Sequence, residues 1–254
     1  MWVRVLPALP FSPLRAPSSP AAAVPFPGIP DDVLAALEEP NPLDEGLLRA
    51  AVAELAEPAD APLRTILDHG RLILAGNRVA NLCGARDWEN LIGAHLLDAV
   101  RAAAFVPTDA RLLADWGSGA GLPGLVWAAL FPDKEVLLIE RNGKKAAFLE
   151  EAALRLGLLQ VAVLRGQGEE TLAREGLRPD LIAARAVEPL PRLLGRLRRN
   201  RVRFGAVALL AGPGFEAEWE RLAPELRRSW RLAARHPYEL PGRGRRLVAV
   251  LKPA

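Results

Sequence analysis

The run Asp115-Trp-Gly-Ser-Gly-Ala-Gly121 constrains the fold more than any other stretch of this chain. It follows a short apolar segment and precedes residues 122–131, whose composition favours a helix. Glycines adopt left-handed backbone angles and allow a ligand to approach the main chain closely. A strand, a glycine turn and a helix start, in this order, predict a cofactor cradle at one edge of a sheet.

The acid that opens the run helps to distinguish between cofactors. A helix N-terminus attracts anions, so a pyrophosphate would gain nothing from the neighbouring Asp115. An amino group and a sulfonium would gain from it, and this favours S-adenosylmethionine, as does Gly117 two residues later. One alternative is a dinucleotide, because Gly119-Ala-Gly121-Leu-Pro-Gly124 fits G-x-G-x-x-G and Glu140 follows after about 20 residues. Another is a glycine turn that binds nothing.

Length and composition limit the remaining possibilities. The chain has 254 residues, of which half are apolar, enough for one sizeable α/β domain and a smaller appendage. The single cysteine, Cys83, excludes an internal disulfide and a cysteine-clustered zinc site, so no metal is expected. No apolar run approaches the roughly 18 residues of a membrane span. We expect a cytoplasmic protein.

Three regions follow one another along the chain. Residues 1–30 contain eight prolines and no acid, and are predicted to be an irregular extension. Residues 31–105 show apolar side chains at helical spacing and are predicted to form a helical cap. Residues 106–254 are predicted to be the cofactor-binding domain.

Strands and helices alternate in this last region, which predicts a Rossmann-like α/β fold with a seven-stranded, mostly parallel sheet. The last two strands have only Pro241-Gly-Arg-Gly244 between them and are predicted to form an antiparallel hairpin. The predicted strands are 111–115, 135–140, 160–164, 180–184, 202–211, 231–236 and 245–251. The predicted helices are 122–131, 143–156, 168–175, 189–200 and 215–228.

Ligands of open parallel sheets bind beyond the carboxyl ends of the strands, so the residues there are the candidate site. Glu140 ends the second strand, where it could accept the ribose hydroxyls of the cofactor. Backbone amides in residues 166–169 could meet the adenine. Arg185 ends the fourth strand and could bind the cofactor, an anionic substrate, or a structural partner.

Six arginines lie within residues 192–203, which contain no acid. They either contact an anionic partner or form the solvated face of a helix.

Several motifs together resemble the RsmG (GidB) family, bacterial methyltransferases that act on N7 of a guanine in small-subunit (16S) ribosomal RNA. The loop from Asp115 continues into Leu122-Pro-Gly124, which is more specific than the glycine motif alone. The other matching motifs are Asn77-Arg-Val-Ala-Asn-Leu82, His95-Leu-Leu-Asp98, Gly143-Lys-Lys145, Ala184-Arg-Ala-Val187 and Arg245-Arg-Leu-Val248.

The resemblance implies S-adenosylmethionine as cofactor and rRNA or the 30S particle as partner, with no membrane and a monomeric enzyme. No residue is assigned to proton transfer; Arg185 and Lys144 would position the reactants. The residues expected to bind the cofactor are Asp115, Gly117, Gly119, Gly121, Leu122, Glu140, Gly168, Glu169 and Arg185. The residues expected to contact RNA are Lys144, Lys145, Arg192, Arg196 and Arg199.

Two departures from the family lie near the expected cleft. Gln167 stands where arginine is common, and Ala211 stands where a lysine precedes Gly-Pro. Fewer cations should weaken RNA binding more than cofactor binding. One alternative is therefore a family member that binds methyl donor and rRNA but transfers weakly. The other is an NAD(P)-dependent reductase.

The expected chemistry needs no general base, because guanine N7 carries a lone pair and no proton. Alignment of the reactants is the task of the protein. His95 lies on an apolar helical stripe and is interpreted as a core histidine. Trp127 is expected to pack in the core, whereas Trp116 could either pack or stack on a base.

Overall fold

The computed structural model describes residues 28–185 and 188–254. In these residues seven strands form one sheet with helices on both faces, which confirms the predicted α/β class. The strands are β1 (Leu112–Trp116), β2 (Glu135–Glu140), β3 (Val161–Arg165), β4 (Leu181–Arg185), β5 (Ala206–Ala211), β6 (Trp230–Leu240) and β7 (Gly244–Pro253). The helices are α1 (Asp31–Ala35), α2 (Pro42–Ala53), α3 (Asp60–Gly76), α4 (Trp88–Leu91), α5 (Leu97–Ala103), α6 (Gly124–Leu130), α7 (Gly143–Arg155), α8 (Gly168–Arg174), α9 (Leu190–Arg199), α10 (Phe215–Glu220) and α11 (Pro224–Arg228), with a π-helical turn (Ile92–Leu96) between α4 and α5.

The strands lie in the order β3-β2-β1-β4-β5-β7-β6. β1 to β5 are parallel, while β7 is antiparallel to both β5 and β6. The predicted hairpin is confirmed, with β7 inside the sheet and β6 at its edge. Because the chain order reverses at β1, between β2 and β4, a crevice is expected beyond the carboxyl ends of these strands.

The helices before β1 cover one face of the sheet and share its apolar core. Trp127 of α6 is 1% exposed, and its Nε1 donates to Ala99 O at 2.9 Å, which confirms its predicted packing role. Asp87 accepts from Asn90 N at 2.8 Å and caps α4. Because one core joins these helices to the sheet, they are held rigidly beside the crevice.

Residues 1–27 of the predicted extension lie outside the described residues. Ile29, near its end, is 2% exposed and is tied to α7: Ile29 N donates to Glu151, and Arg155 donates to Ile29 O. In the described part of the chain, no helix combines the length and apolarity needed to cross a bilayer.

Several predicted elements have different bounds in the structure, such as β6, which ends at Leu240 and not at 236; two of the differences have a clear local cause. The helix predicted over 215–228 is divided into α10 and α11, because Pro224 disfavours helical angles at Ala223, whose ψ is 142°. The strand predicted from 202 begins at Ala206. The backbone at Gly205 passes so close to that of Asp180 that a Cβ would collide with it. β5 begins at the residue after this close contact.

Candidate active site

The loop between β1 and α6 contains three glycines with left-handed angles. The φ angles of Gly117, Gly119 and Gly121 are +77°, +57° and +85°. A Cβ at Gly119 would meet only Gly117 O, at 3.8 Å, whereas one at Gly121 would lie 3.1 Å from His69 Nε2. Gly119 thus borders open space and Gly121 packs inward.

His69, from α3 in the cap, supports this loop from below. Its Nε2 lies 2.8 Å from the carbonyl oxygen of Ala120, to which it donates. Burial lowers the pKa of His69 to about 4, so the ring is neutral near pH 7. No sequence pattern points to this residue, because a histidine within a helical segment carries no signal of a loop more than 50 positions away.

Asp115 lies beneath the same loop and is 1% exposed. Its Oδ2 accepts from Gly124 N at 2.8 Å, and burial raises the pKa of this carboxyl to about 7. The expected contact of Asp115 with the methyl donor stays a prediction, and in the structure its carboxyl supports the loop instead of lining the surface. The side chain points into the interior, because it holds the start of α6 against β1.

Glu140, at the end of β2, joins the glycine loop to the start of α7. Its Oε2 accepts from Gly119 N at 3.0 Å, and its Oε1 accepts from Asn142 N at 2.7 Å. The Asn142 side chain in turn caps α7 by accepting from Lys144 N and Lys145 N. Each carboxylate oxygen has further lone pairs, so Glu140 can also accept from a ligand's hydroxyl groups.

On the opposite side, α8 begins directly against the indole of Trp116. A Cβ at Gly168 would lie 2.6 Å from this ring, so only glycine fits there. Trp116 is 3% exposed and belongs to the core on the second face of the sheet. Its role is therefore largely packing, although its edge borders the crevice.

Arg196 of α9 closes the same side with a network of ion pairs. It donates to both carboxylate oxygens of Glu169, to Glu188 Oε1 at 3.1 Å and to Gln167 Oε1 at 2.8 Å. Burial disfavours charge on Glu169, but hydrogen bonds from Arg196 outweigh it and hold the pKa of Glu169 below its usual value. The expected RNA contact of Arg196 stays a prediction; in the structure its guanidinium is paired with carboxylates.

A cavity of about 460 Å³, which we call the loop cavity, lies between these two sides. Four of the residues expected to bind cofactor line it, namely Gly117, Gly119, Glu140 and Gly168. The other five do not line it: Asp115, Gly121, Leu122, Glu169 and Arg185. Leu122 and Gly121 are buried in the core below, where they hold the loop.

The cavity wall also contains residues that the sequence analysis did not single out as ligands. They are Ile139, Arg141, Asn142, Glu188 and Pro189. Ile139 belongs to β2, and the other four lie in the segments that follow β2 and β4, where position in the fold rather than residue type decides exposure.

Arg185 lies outside the loop cavity, contrary to its expected contact with the cofactor. Its Nη1 is 3.0 Å from His95 Nδ1 and 3.6 Å from Asp98 Oδ2. Asp98 Oδ1 accepts from Tyr238 Oη at 2.7 Å. This second group of polar side chains joins the cap, β4 and the edge hairpin.

The five residues expected to contact RNA differ in their surroundings. Lys144 and Arg199 are exposed, and Arg192 is exposed although it pairs with Glu188 at 3.3 Å. Lys145 Nζ instead donates to Leu82 O at 3.2 Å and lines the loop cavity. Lys145, Arg192 and Arg196 thus line the loop cavity, whereas Lys144 and Arg199 are exposed on α7 and α9, the helices that border it.

Comparison with known proteins identifies a family. The family described as rRNA small subunit methyltransferase G, or GidB, matches residues 63–229. The chain is 37% identical over 211 residues to the ribosomal RNA small subunit methyltransferase G of Halorhodospira halophila, covering 82% of this chain and 96% of the relative. It is 36% identical over 203 residues to the protein of the same name from Chromohalobacter salexigens, covering 80% and 93%. Among solved structures, TrmN from Thermus thermophilus is similar with a TM-score of 0.45 and 26% identity, covering 63% of this chain and 48% of that one.

Proposed function

The chain belongs to the GidB family of rRNA small subunit methyltransferases, and from this premise we propose that it methylates N7 of a guanine in 16S rRNA. Its methyl donor is S-adenosylmethionine. The observation that carries the proposal is the loop cavity, which lies at the switch point of the sheet and within the region that matches the family. The residue assignments below are part of the same proposal.

The residues of the loop cavity fit such a methyl donor. The glycine loop offers backbone without side chains, and a Cβ at Gly119 would project into open space. Glu140 lies at the end of β2, where its free lone pairs suit ribose hydroxyl groups. On the other side, Gly168 packs on Trp116 and offers backbone groups without a side chain. We therefore assign Gly117, Gly119, Glu140 and Gly168 to methyl donor binding, with Asp115 and His69 supporting the loop.

The protein needs to position the reactants rather than to move protons. When bound, S-adenosylmethionine supplies a methyl group on a positively charged sulfur. Guanine N7 has a lone pair and no hydrogen, so no side chain has to remove a proton. The chain's own residues bind and orient the two partners and exclude water, and alignment of this kind supplies a large share of rate enhancements.

The cations in and beside the loop cavity suit an RNA partner. Arg192 lines the cavity with an exposed guanidinium, and Lys144 and Arg199 are exposed on the two helices that border it, α7 and α9. Guanidinium and ammonium groups bind phosphates without reading sequence, so they would hold RNA while the target base enters. The base must be single-stranded or extruded, because N7 in an RNA helix lies in a deep, narrow groove.

The organisation around this activity is also part of the proposal. Residues 31–105 act as a cap on the methyltransferase domain of residues 106–254, and residues 1–30 are an extension. The protein acts as a monomer in the cytoplasm, where its substrate, free rRNA or the 30S particle, is found.

Transfer from labelled S-adenosylmethionine tests the proposal. We expect label in the 16S rRNA of unmethylated small subunits, and 7-methylguanosine in its nuclease digest. Binding of S-adenosylhomocysteine without transfer would instead support the family member with weak activity, which Gln167 and Ala211 suggested. Heat on titration with a nicotinamide dinucleotide, and none with S-adenosylhomocysteine, would overturn the proposal.

A further inference from the structure

Four polar side chains meet where β4 ends, outside the loop cavity, and we call them the Arg185 cluster: His95, Asp98, Arg185 and Tyr238. They come from the cap, the sheet and the edge hairpin. Asp98 is 5% exposed and satisfied by Tyr238 and Arg185, whereas His95 is only half-buried. Asp98 therefore lies at the buried end of the cluster, and His95 reaches the surface.

The contact with Arg185 fixes the protonation of His95. A guanidinium only donates hydrogen bonds, so His95 Nδ1, at 3.0 Å, must accept and carries no proton. Burial, together with the charges of Arg185 and Arg243, lowers the pKa of His95 to about 4. Near pH 7 the ring is thus neutral with its one proton on Nε2.

The other ring nitrogen is available to a ligand. Across residues 28–185 and 188–254, His95 Nε2 has no hydrogen-bond partner, and it is not among the buried polar atoms that lack one. A histidine that served packing alone would bury this N–H or pair it, as His69 does with Ala120. His95 instead presents a fixed hydrogen-bond donor to solvent, contrary to its interpretation as a core histidine.

The backbone at His95 is also irregular. The residue lies in the π-helical turn Ile92–Leu96, inside what would otherwise be one continuous helix through α4 and α5. Such turns are uncommon and frequently occur at functional sites, because the extra residue redirects a side chain.

The Arg185 cluster adjoins the glycine-loop end of the loop cavity. Ala184 of β4 pairs in register with Trp116 of β1, which lines the cavity. Arg185 is the next residue, and its charge lowers the pKa of Asp115 beneath the glycine loop. A base held at His95 would therefore lie next to the place proposed for the methyl donor.

We propose that His95 binds the target guanine by donating its Nε2–H to O6, and that Arg185 is the positioning residue that holds the imidazole. The inference rests on the proposed function. Guanine presents acceptors at both O6 and N7, whereas adenine presents an amino group in place of O6. A fixed donor at O6 thus favours guanine over adenine and leaves the N7 lone pair free for methylation.

The variants His95→Ala and His95→Gln test this role. We expect His95→Ala to lower kcat/KM for unmethylated subunits at least tenfold, with affinity for S-adenosylhomocysteine unchanged within twofold. His95→Gln, whose amide can donate, should recover part of the loss. The matched control is His236→Ala, which removes an imidazole that stacks on Phe105 with ring centroids 4.3 Å apart; it should retain full transfer.

A second measurement separates recognition from structure. In a second set of subunits, adenine replaces the target guanine. These subunits should be poor substrates of the wild type. His95→Ala should reduce the preference for guanine over adenine at least fivefold. Unchanged transfer and preference in both His95 variants, or loss of S-adenosylhomocysteine binding in both, would overturn the assignment. Absence of transfer by the wild type would instead overturn the proposed function itself.

Discussion

The two sides of the loop cavity are built by different physical means. The glycine side, residues 115–124, is held from below by the buried contacts of Asp115 and His69. The arginine side, residues 188–199, is held by ion pairs from Arg196 to Glu169 and Glu188. The three charged side chains there keep 8–15% of their surface exposed, so the second side is more open to screening by salt than the fully buried first side.

This difference indicates which side sets the geometry of the site. Buried hydrogen bonds in a close-packed core tolerate little displacement, so the glycine side is fixed before a ligand arrives. Ion pairs near the surface contribute less and can exchange partners. The glycine side therefore suits the methyl donor, and the arginine side suits a polyanion that makes many weak contacts.

The largest effect is expected from Gly124→Ala. The new Cβ would lie 2.8 Å from Asp115 Oδ2 and collide with Leu138, which overpacks the core and breaks a buried hydrogen bond. We expect the free energy of unfolding to fall by about 4 kcal/mol. Urea denaturation measures it. The control Gly46→Ala adds a Cβ within helix α2 with nothing inside 4 Å and should be stabilising; equal losses in both would show that the glycine side is not tightly packed.

The next effect is a pH dependence, seen by comparing the wild type with Asp115→Asn. The folded-state pKa of about 7 lies above the usual value, so the carboxyl contributes stability that is complete below about pH 4 and lost as pH rises through 7. His69 contributes in the opposite sense in both proteins and cancels. The advantage of the wild type should shrink by about 4 kcal/mol between pH 4 and pH 8, as measured by denaturation at each pH. Parallel stability profiles would contradict a buried Asp115.

A smaller effect is expected on the arginine side. Arg196→Met leaves Glu169 and Glu188 without their shared partner, and these side chains are only 8–10% exposed. We expect a loss of about 2 kcal/mol in the free energy of unfolding, reduced by added salt. Arg228→Met is the control, because its pair with Glu225 is about 70% exposed and should change stability by less than about 0.5 kcal/mol. Similar losses in both variants would show that the ion pairs of Arg196 stabilise the fold no more than an exposed pair does.

The smallest effect concerns RNA binding beside the loop cavity. Arg199→Gln should weaken binding to 16S rRNA about threefold and reduce the slope of log affinity against log salt by about 0.7. Filter binding at several salt concentrations measures both, with Arg231→Gln on β6 as an exposed control. If the two variants had the same affinity as the wild type, α9 would not contact RNA.

The sequence predicted the fold well because its signals are local. Alternating apolar runs located all seven strands to within a few residues, and the short Pro-Gly-Arg-Gly turn predicted the hairpin. The exception at Pro224 is also local, because this proline disfavours helical angles at Ala223 and so divides the helix predicted over 215–228.

The site was predicted less well, because strand ends locate residues without giving the direction of their side chains. Glu140 reaches the cavity wall, whereas Asp115, also near a strand end, turns into the core. The partners of Arg196 and Arg185 lie far away in the chain: Glu169 is 27 positions away, and His95 is 90. Contacts at such distances depend on the packing of whole elements, which residue patterns do not encode.

The position of β7 has a consequence for biosynthesis. Its residues, Gly244–Pro253, pair with β5 on one side and β6 on the other, so this segment joins the hairpin to the parallel strands. During synthesis β7 follows all six other strands, and until it emerges from the ribosome β6 has no partner in the sheet. The sheet therefore closes only once β7 has been made and exposed.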